Sequence, residues 1–219
     1  MKSVSPLLCD AAFSTAITVA DPAGTQDAGA QDAGAQDAGA QDKVHKARTG
    51  VNRGEQGRNM VAMKDILAAA RTLRGRADAT PLVPSMLARR LGGALWLKLE
   101  SCQPIGAFKL RGALNAIARL PDEAPGVTCC STGNHGRAVA CAAAARGMRA
   151  VICMSDLVPR AKVDGIRALG AQVHIHGRSQ DAAQAEATRL AQDEGLVEIP
   201  PFDDPHVIAG QGTIALEML

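Results

Sequence analysis

From Leu95 to Leu219 the chain alternates short apolar runs with Ala- and Leu-rich stretches of helical period. This alternation restricts the fold more than any other feature. The runs Ala94–Leu99, Val127–Cys130, Arg149–Met154, Gln172–His176 and Leu196–Ile199 read as strands. The stretches Phe108–Arg119, Asn134–Arg146, Pro159–Leu169, Ser179–Glu194 and Thr213–Leu219 read as helices, several of them stopped by glycine. Strand and helix in turn predict an α/β fold with a parallel sheet covered by helices. A helix over Val61–Leu73, with Met63, Ile66, Leu67, Ala70 and Leu73 on one stripe, precedes this region. An extended Thr80–Pro84 and a short helix after Ser85 follow it. Aromatic residues make up only 2% of the chain, so the core must come from Ala, Leu, Val and Ile.

Residues 1–59 differ in kind. Gln26-Asp-Ala-Gly-Ala30 repeats at Gln31 and Gln36 and begins again at Gln41. A five-residue period fits no helix face, and the repeats hold no bulky apolar residue to repay ordering. The segment reads as a disordered extension without a specific role, upstream of a start at Met60 or Met63, rather than as a tether. Leu219 falls inside a helical pattern with no stop signal, from which a chain cut short of its natural end is expected. A net charge of +2 gives no electrostatic case for nucleic acid or an acidic membrane surface. No apolar run reaches the roughly 18 residues of a membrane span. Asp10 interrupts any secretory signal. Six scattered cysteines without paired spacing read as reduced thiols, so a cytoplasmic protein is expected.

In parallel α/β sheets ligands sit where strand ends lead into helices. Two loops qualify. The first, Gln103-Pro-Ile-Gly-Ala-Phe-Lys-Leu-Arg-Gly-Ala113, puts Lys109 at the start of a helix in an apolar setting. Desolvation there would lower an ammonium pKa and allow attack on a carbonyl, although a solvated lysine is the commoner outcome at such a place. The second, Ser131-Thr-Gly-Asn-His-Gly136, opens the next helix with backbone N–H groups suited to an anion, or acts simply as a capping loop. No dinucleotide or P-loop fingerprint is present. His174 and His176 share one face of a strand, but no third ligand lies at useful spacing, so a solvated sheet face is expected and no metal. Cys129-Cys130 reads as a buried strand pair before a redox pair.

Gly-Ala-Phe-Lys109-Leu-Arg-Gly-Ala resembles the Ser-Phe-Lys-x-Arg-Gly-Ala signature of fold-type II pyridoxal-phosphate enzymes (tryptophan synthase β-like), in the threonine dehydratase and serine racemase branch. Ser131-Thr-Gly-Asn-His is similar to that branch's Ser-x-Gly-Asn-His loop, and Ile208-Ala-Gly-Gln-Gly-Thr-Ile-Ala-Leu-Glu217 to another of its segments. The resemblance covers about residues 63–219. Val151–Pro159 and Gly195–Asp204 look closest to the hydroxyectoine-utilisation dehydratases.

The resemblance implies a two-domain arrangement, with 60–121 and 204–219 in a large cofactor domain whose C-terminal part is missing, and 122–203 as a small inserted domain. It implies pyridoxal 5'-phosphate held by Lys109, with Phe108 near its ring and Asn134 on its phenolic oxygen. Ser131, Thr132, Asn134 and His135 would surround the carboxylate of a small amino-acid substrate. Lys109 would move the α-proton. Thr132 stands where racemases of the branch carry an acid/base serine. The implied activity is ammonia-lyase (dehydratase) action on a hydroxy-amino acid, with a racemase or a non-catalytic remnant as alternatives, in a complete protein that is a homo-oligomer. Ile105-Gly-Ala107 replaces the family's Thr-Gly-Ser, and the glycine-rich phosphate cup comes later in the family than Leu219. Weak cofactor binding by these 219 residues alone is therefore expected.

Overall fold

The computed structural model describes residues 16–20, as backbone only, and residues 60–219. The Gln-Asp-Ala-Gly-Ala repeats, His45, Cys9 and Phe13 lie outside the described residues. Four strands form the parallel sheet: β4 (Val127–Cys130), β5 (Ala150–Met154), β6 (Gln172–Ile175) and β7 (Val197–Glu198), in the order β6-β5-β4-β7. Val127 pairs with Ala150 and with Val197, and Val151 with Gln172.

Every residue of β4 and β5 is buried, as continuous apolar runs covered on both faces must be. The two-residue side-chain period splits the coverage. Val127, Cys129, Ile152 and Met154 enter the main core with α4 (Asn134–Ala145) and α5 (Arg160–Arg167). Cys130, Val151 and Cys153 meet Ala183, Ala187 and Leu190 of α6 (Gln180–Glu194) on the other face.

The expectation that the strand at Ala94–Leu99 joins the parallel sheet is not met. This strand, β3 (Ala94–Lys98), is central in a separate antiparallel sheet between β1 (Ala16–Ala20) and β2 (Leu82–Pro84). The return from Pro84 to Ala94 holds only α2 (Ala88–Leu91) and the left-handed Gly92, too short for the crossover that parallel strands need. β1 lies within the segment expected to be without structure. Its Ala-Ile-Thr-Val-Ala sequence is β-branched at the centre and pairs along the whole of β3.

The helix that carries the first loop's lysine, α3 (Lys109–Ile117), is packed between α4 and α7 (Pro205–Met218), and α1 (Met63–Leu73) packs on α7. Eight of its nine residues, Leu110 to Ile117, are buried. Small side chains make this possible. On α4, Ala138, Ala140, Ala142 and Ala143 are all buried. Where α3 and α7 cross, a Cβ on Gly210 would stand 2.6 Å from the Arg111 carbonyl oxygen and 2.7 Å from the Gly112 Cα. Those are backbone atoms with no rotamer to yield. Gly210→Ala is therefore expected to push the helices apart and destabilise the fold by about 1–3 kcal/mol, read as a lower urea midpoint. Among the described residues no helix is long and apolar enough to cross a membrane.

Candidate active site

The chain leaves β3 through a 3-10 turn (Glu100–Cys102) and a loop to Phe108, and Lys109 is the first residue of α3. Ile105 and Ala107, the two departures from the family signature, are buried in the main core. Lys109 is half-buried; its Nζ donates to the Pro201 carbonyl oxygen at 2.6 Å and lies 5.4 Å from the centre of the Phe108 ring. Burial lowers its pKa. Its hydrogen bond goes to a carbonyl, and among the described residues no carboxylate pairs with it to oppose the neutral amine.

Two residues further along α3, Arg111 is anchored far more firmly. Its guanidinium bonds Glu100 (2.8 and 2.9 Å), Glu217 (2.5 and 2.9 Å), the Asp78 carbonyl oxygen (3.0 Å) and Thr213 Oγ1 (3.2 Å). Glu100 is fully buried and also accepts from Thr80 (2.6 Å) and Gln103 (3.3 Å). Lys98, on β3, donates to the Thr80 carbonyl and to Glu217. Burial opposes the Arg111 charge, but the two carboxylates overcome it and raise its pKa. Burial likewise pushes the Glu217 carboxyl up, and Arg111 and Lys98 more than reverse this, leaving it below the usual value. Two cations and two anions thus lock β3, α3 and α7 together one half-turn behind Lys109.

The second loop follows β4. The Ser131 N–H donates to the Cys153 carbonyl (3.2 Å) and its Oγ accepts from Gly133 N–H (3.3 Å). Gly133 caps α4 with no side-chain acceptor, leaving the first-turn N–H groups as open donors. A Cβ on Gly136 would meet the Ser131 carbonyl oxygen at 2.9 Å, so glycine lets the loop fold against its own helix. Ser131, Thr132 and Asn134 are half-buried there, and His135 is buried.

His135 Nε2 lies 2.8 Å from the Ile199 carbonyl oxygen, and Nδ1 is buried without a partner. Desolvation drives its pKa down to about 4; the Ile199 carbonyl resists and the Lys109 charge reinforces the fall. The ring is therefore neutral near pH 7, with Nε2 donating and Nδ1 left as an acceptor. Above its ordinary pKa of 6.5 this histidine is neutral folded or unfolded and adds no pH dependence. Below 6.5 the unfolded chain takes a proton that the folded chain refuses until about pH 4. Stability is expected to fall across that window by up to about 3 kcal/mol. His135→Gln should flatten the decline in urea titrations run from pH 7 to pH 4.

Lys109 and His135 thus converge on one short segment, Ile199–Pro201, just past β7. Among the described residues no hydrogen bond links Lys109 to Ser131, Thr132 or Asn134. The sequence could not reveal Ile199 and Pro201 as site residues, because they act through backbone carbonyls. Cys129 and Cys130 are buried, and burial raises the Cys130 thiol to about 11, as a structural strand pair requires.

These residues fit an aldehyde cofactor. A desolvated amine without a carboxylate partner suits the aldehyde, while the open first turn of α4 and the orphaned His135 Nδ1 offer polar contacts to a bound group. Residues 73–219 match the family described as pyridoxal-phosphate dependent enzyme, and the chain belongs to that family. The L-threonine ammonia-lyase of Thermotoga maritima is 44% identical over 163 residues, which are 73% of this chain and 41% of that one. The processed form of threonine deaminase isoform 2 from Solanum lycopersicum superposes with a TM-score of 0.68 at 42% identity, covering 71% of this chain and 43% of that one. Maize serine racemase superposes with a TM-score of 0.70 at 34% identity, covering 73% and 49%. The chain spans about half, or less, of the length of each.

Proposed function

We propose that the protein is a pyridoxal-phosphate-dependent ammonia-lyase that removes the β-hydroxyl of a small hydroxy-amino acid and releases a keto acid and ammonia. The observation that carries this reading is the half-buried Lys109 amine, which donates to the Pro201 carbonyl, has no carboxylate partner among the described residues and is lowered in pKa by burial. The cofactor, when bound, supplies the electron sink for the carbanion left by α-proton removal. Lys109 holds the cofactor and moves that proton at Nζ. Phe108 would pack on the cofactor, and Asn134 would donate to its phenolic oxygen. Ser131, Thr132 and the first-turn N–H groups of α4 bind the substrate carboxylate, with His135 Nδ1 as an acceptor beside them. Residues 122–203 act as a small domain whose closure excludes water from the reacting carbon. Threonine, serine and a hydroxyectoine-derived hydroxy-amino acid are the candidate substrates, the last suggested by Val151–Pro159 and Gly195–Asp204.

Racemisation on the same scaffold is the second reading. In it Thr132 would supply the hydroxyl that exchanges a proton on the other face, and the similarity to maize serine racemase supports this reading. Incubation with pyridoxal phosphate and L-threonine or L-serine separates the two. Equal amounts of keto acid and ammonia support the lyase, and D-amino acid the racemase. Neither product, with no saturable spectral change on cofactor titration, would favour a non-catalytic role.

A further inference from the structure

His174 and His176 point to the same side of β6, the edge strand of the parallel sheet, with ring centres 6.2 Å apart. Their spacing along the chain shows no third ligand, but the fold supplies one. Glu186, on α6, reaches between them, with Oε1 3.1 Å from His174 Nε2 and Oε2 4.0 Å from His176 Nδ1. One ligand atom from each residue lies within 4.8 Å of the others. The carboxylate is nearly buried, whereas the imidazoles are 43% and 51% exposed, so a solute can enter from the histidine side and the rings can turn. Arg189 bonds both Glu186 oxygens at 2.8 Å and continues to Asp193 at 2.7 Å. None of these residues belongs to the site around Lys109.

We propose that His174, His176 and Glu186 form a binding site for a divalent transition metal of the zinc type, with water completing its coordination. Two imidazoles and one carboxylate are a donor set for zinc and its neighbours, not for magnesium or calcium. A tetrahedral ion with bonds of roughly 2.0–2.1 Å needs ligand atoms about 3.3 Å apart; Glu186 Oε1 already lies 3.1 Å from His174 Nε2, and with one atom from each residue inside 4.8 Å a turn of the exposed His176 ring closes the set. Arg189 keeps one Glu186 oxygen as an outer partner while the other binds the ion. The ion cross-links the edge strand to α6, whose first residue, Gln180, hydrogen-bonds Cys130 at the end of β4. Its role is structural, a clasp on the exposed edge of the sheet.

Zinc titration by calorimetry or equilibrium dialysis tests this on the native chain. One zinc per chain is expected, with a higher melting temperature on saturation. His174→Ala/His176→Ala should bind at least tenfold more weakly and lose the zinc-dependent rise, while its metal-free melting temperature stays close to wild type because both rings are half exposed. Glu186→Gln should also weaken binding. Cobalt in place of zinc should give d–d bands without a thiolate charge-transfer band. The proposal is overturned if the double histidine variant binds zinc as tightly as wild type, if cobalt reports sulfur ligation, or if wild type shows no saturable binding.

Discussion

Lys109→Ala is expected to abolish stable attachment of pyridoxal phosphate and to lower turnover by about 10³-fold or more, since in the proposed function one group both holds the cofactor and moves the proton. The same substitution should leave the fold nearly intact. Among the described residues Lys109 makes one hydrogen bond, to a backbone carbonyl, and it sits half-buried at a helix start, so the stability change should stay within about 1 kcal/mol. Lys109→Arg preserves charge and length but offers no amine of accessible pKa. It should be as inactive as the alanine variant. Wild-type-like cofactor absorbance in either variant, measured beside a circular dichroism spectrum showing retained structure, would remove Lys109 from its assigned role.

Arg111→Met reverses the pattern, with a large effect on the fold and only an indirect one on chemistry. It leaves the fully buried Glu100 with only the neutral donors Thr80 and Gln103, and Glu217 with Lys98, among the described residues. Breaking one partner out of a buried pair costs about 3–5 kcal/mol, a large part of the roughly 5–15 kcal/mol typical of a whole domain. The urea midpoint should drop accordingly, and α3 should lose its fixed register against β3 and α7. Glu217→Gln should cost less, because Glu217 is a quarter exposed and the amide can still accept from Arg111. Glu217 also gives the cluster a pH dependence. Its folded pKa lies below the ordinary 4.5, so its contribution is whole above 4.5 and is lost as pH falls through the folded value. The decline from Glu217 therefore sets in only at about 4.5, near the acid end of the His135 window.

Lys109 and Arg111 mark how far the sequence could be read. The loops that hold Lys109 and Ser131–His135 were legible because a loop after a strand and before a helix has a local signature, and resemblance gave them a proposed chemistry. β4 and β5 were legible as unbroken apolar runs. The partners of Arg111 were not, since Glu217 lies 106 residues away in sequence and nothing in the local pattern pairs them. The Gly210-Gln-Gly-Thr segment was visible only as a likeness. In the fold it has a physical role, because Gly210 admits the backbone of α3, and Thr213 and Glu217 hold Arg111. The single helix Pro205–Met218 runs unbroken through Gly210 and Gly212 and takes in most of the stretch read as helical from Thr213. Periodicity placed β3 as a strand but could not choose its sheet, because that depends on the short return from β2. Glu186 escaped notice beside His174 and His176 for the reason Glu217 did: the contact crosses from one element to the next.

The central claim, that Lys109 is the residue joined to pyridoxal phosphate, can be tested without knowing the substrate. The protein is incubated with pyridoxal phosphate, reduced with borohydride, digested and mapped by mass spectrometry. A pyridoxyl-phosphate mass addition on Lys109, absent when Lys109→Ala is treated alike, is the predicted result. Addition to Lys64 or Lys162 with Lys109 unmodified, or no addition at saturating cofactor, would contradict it.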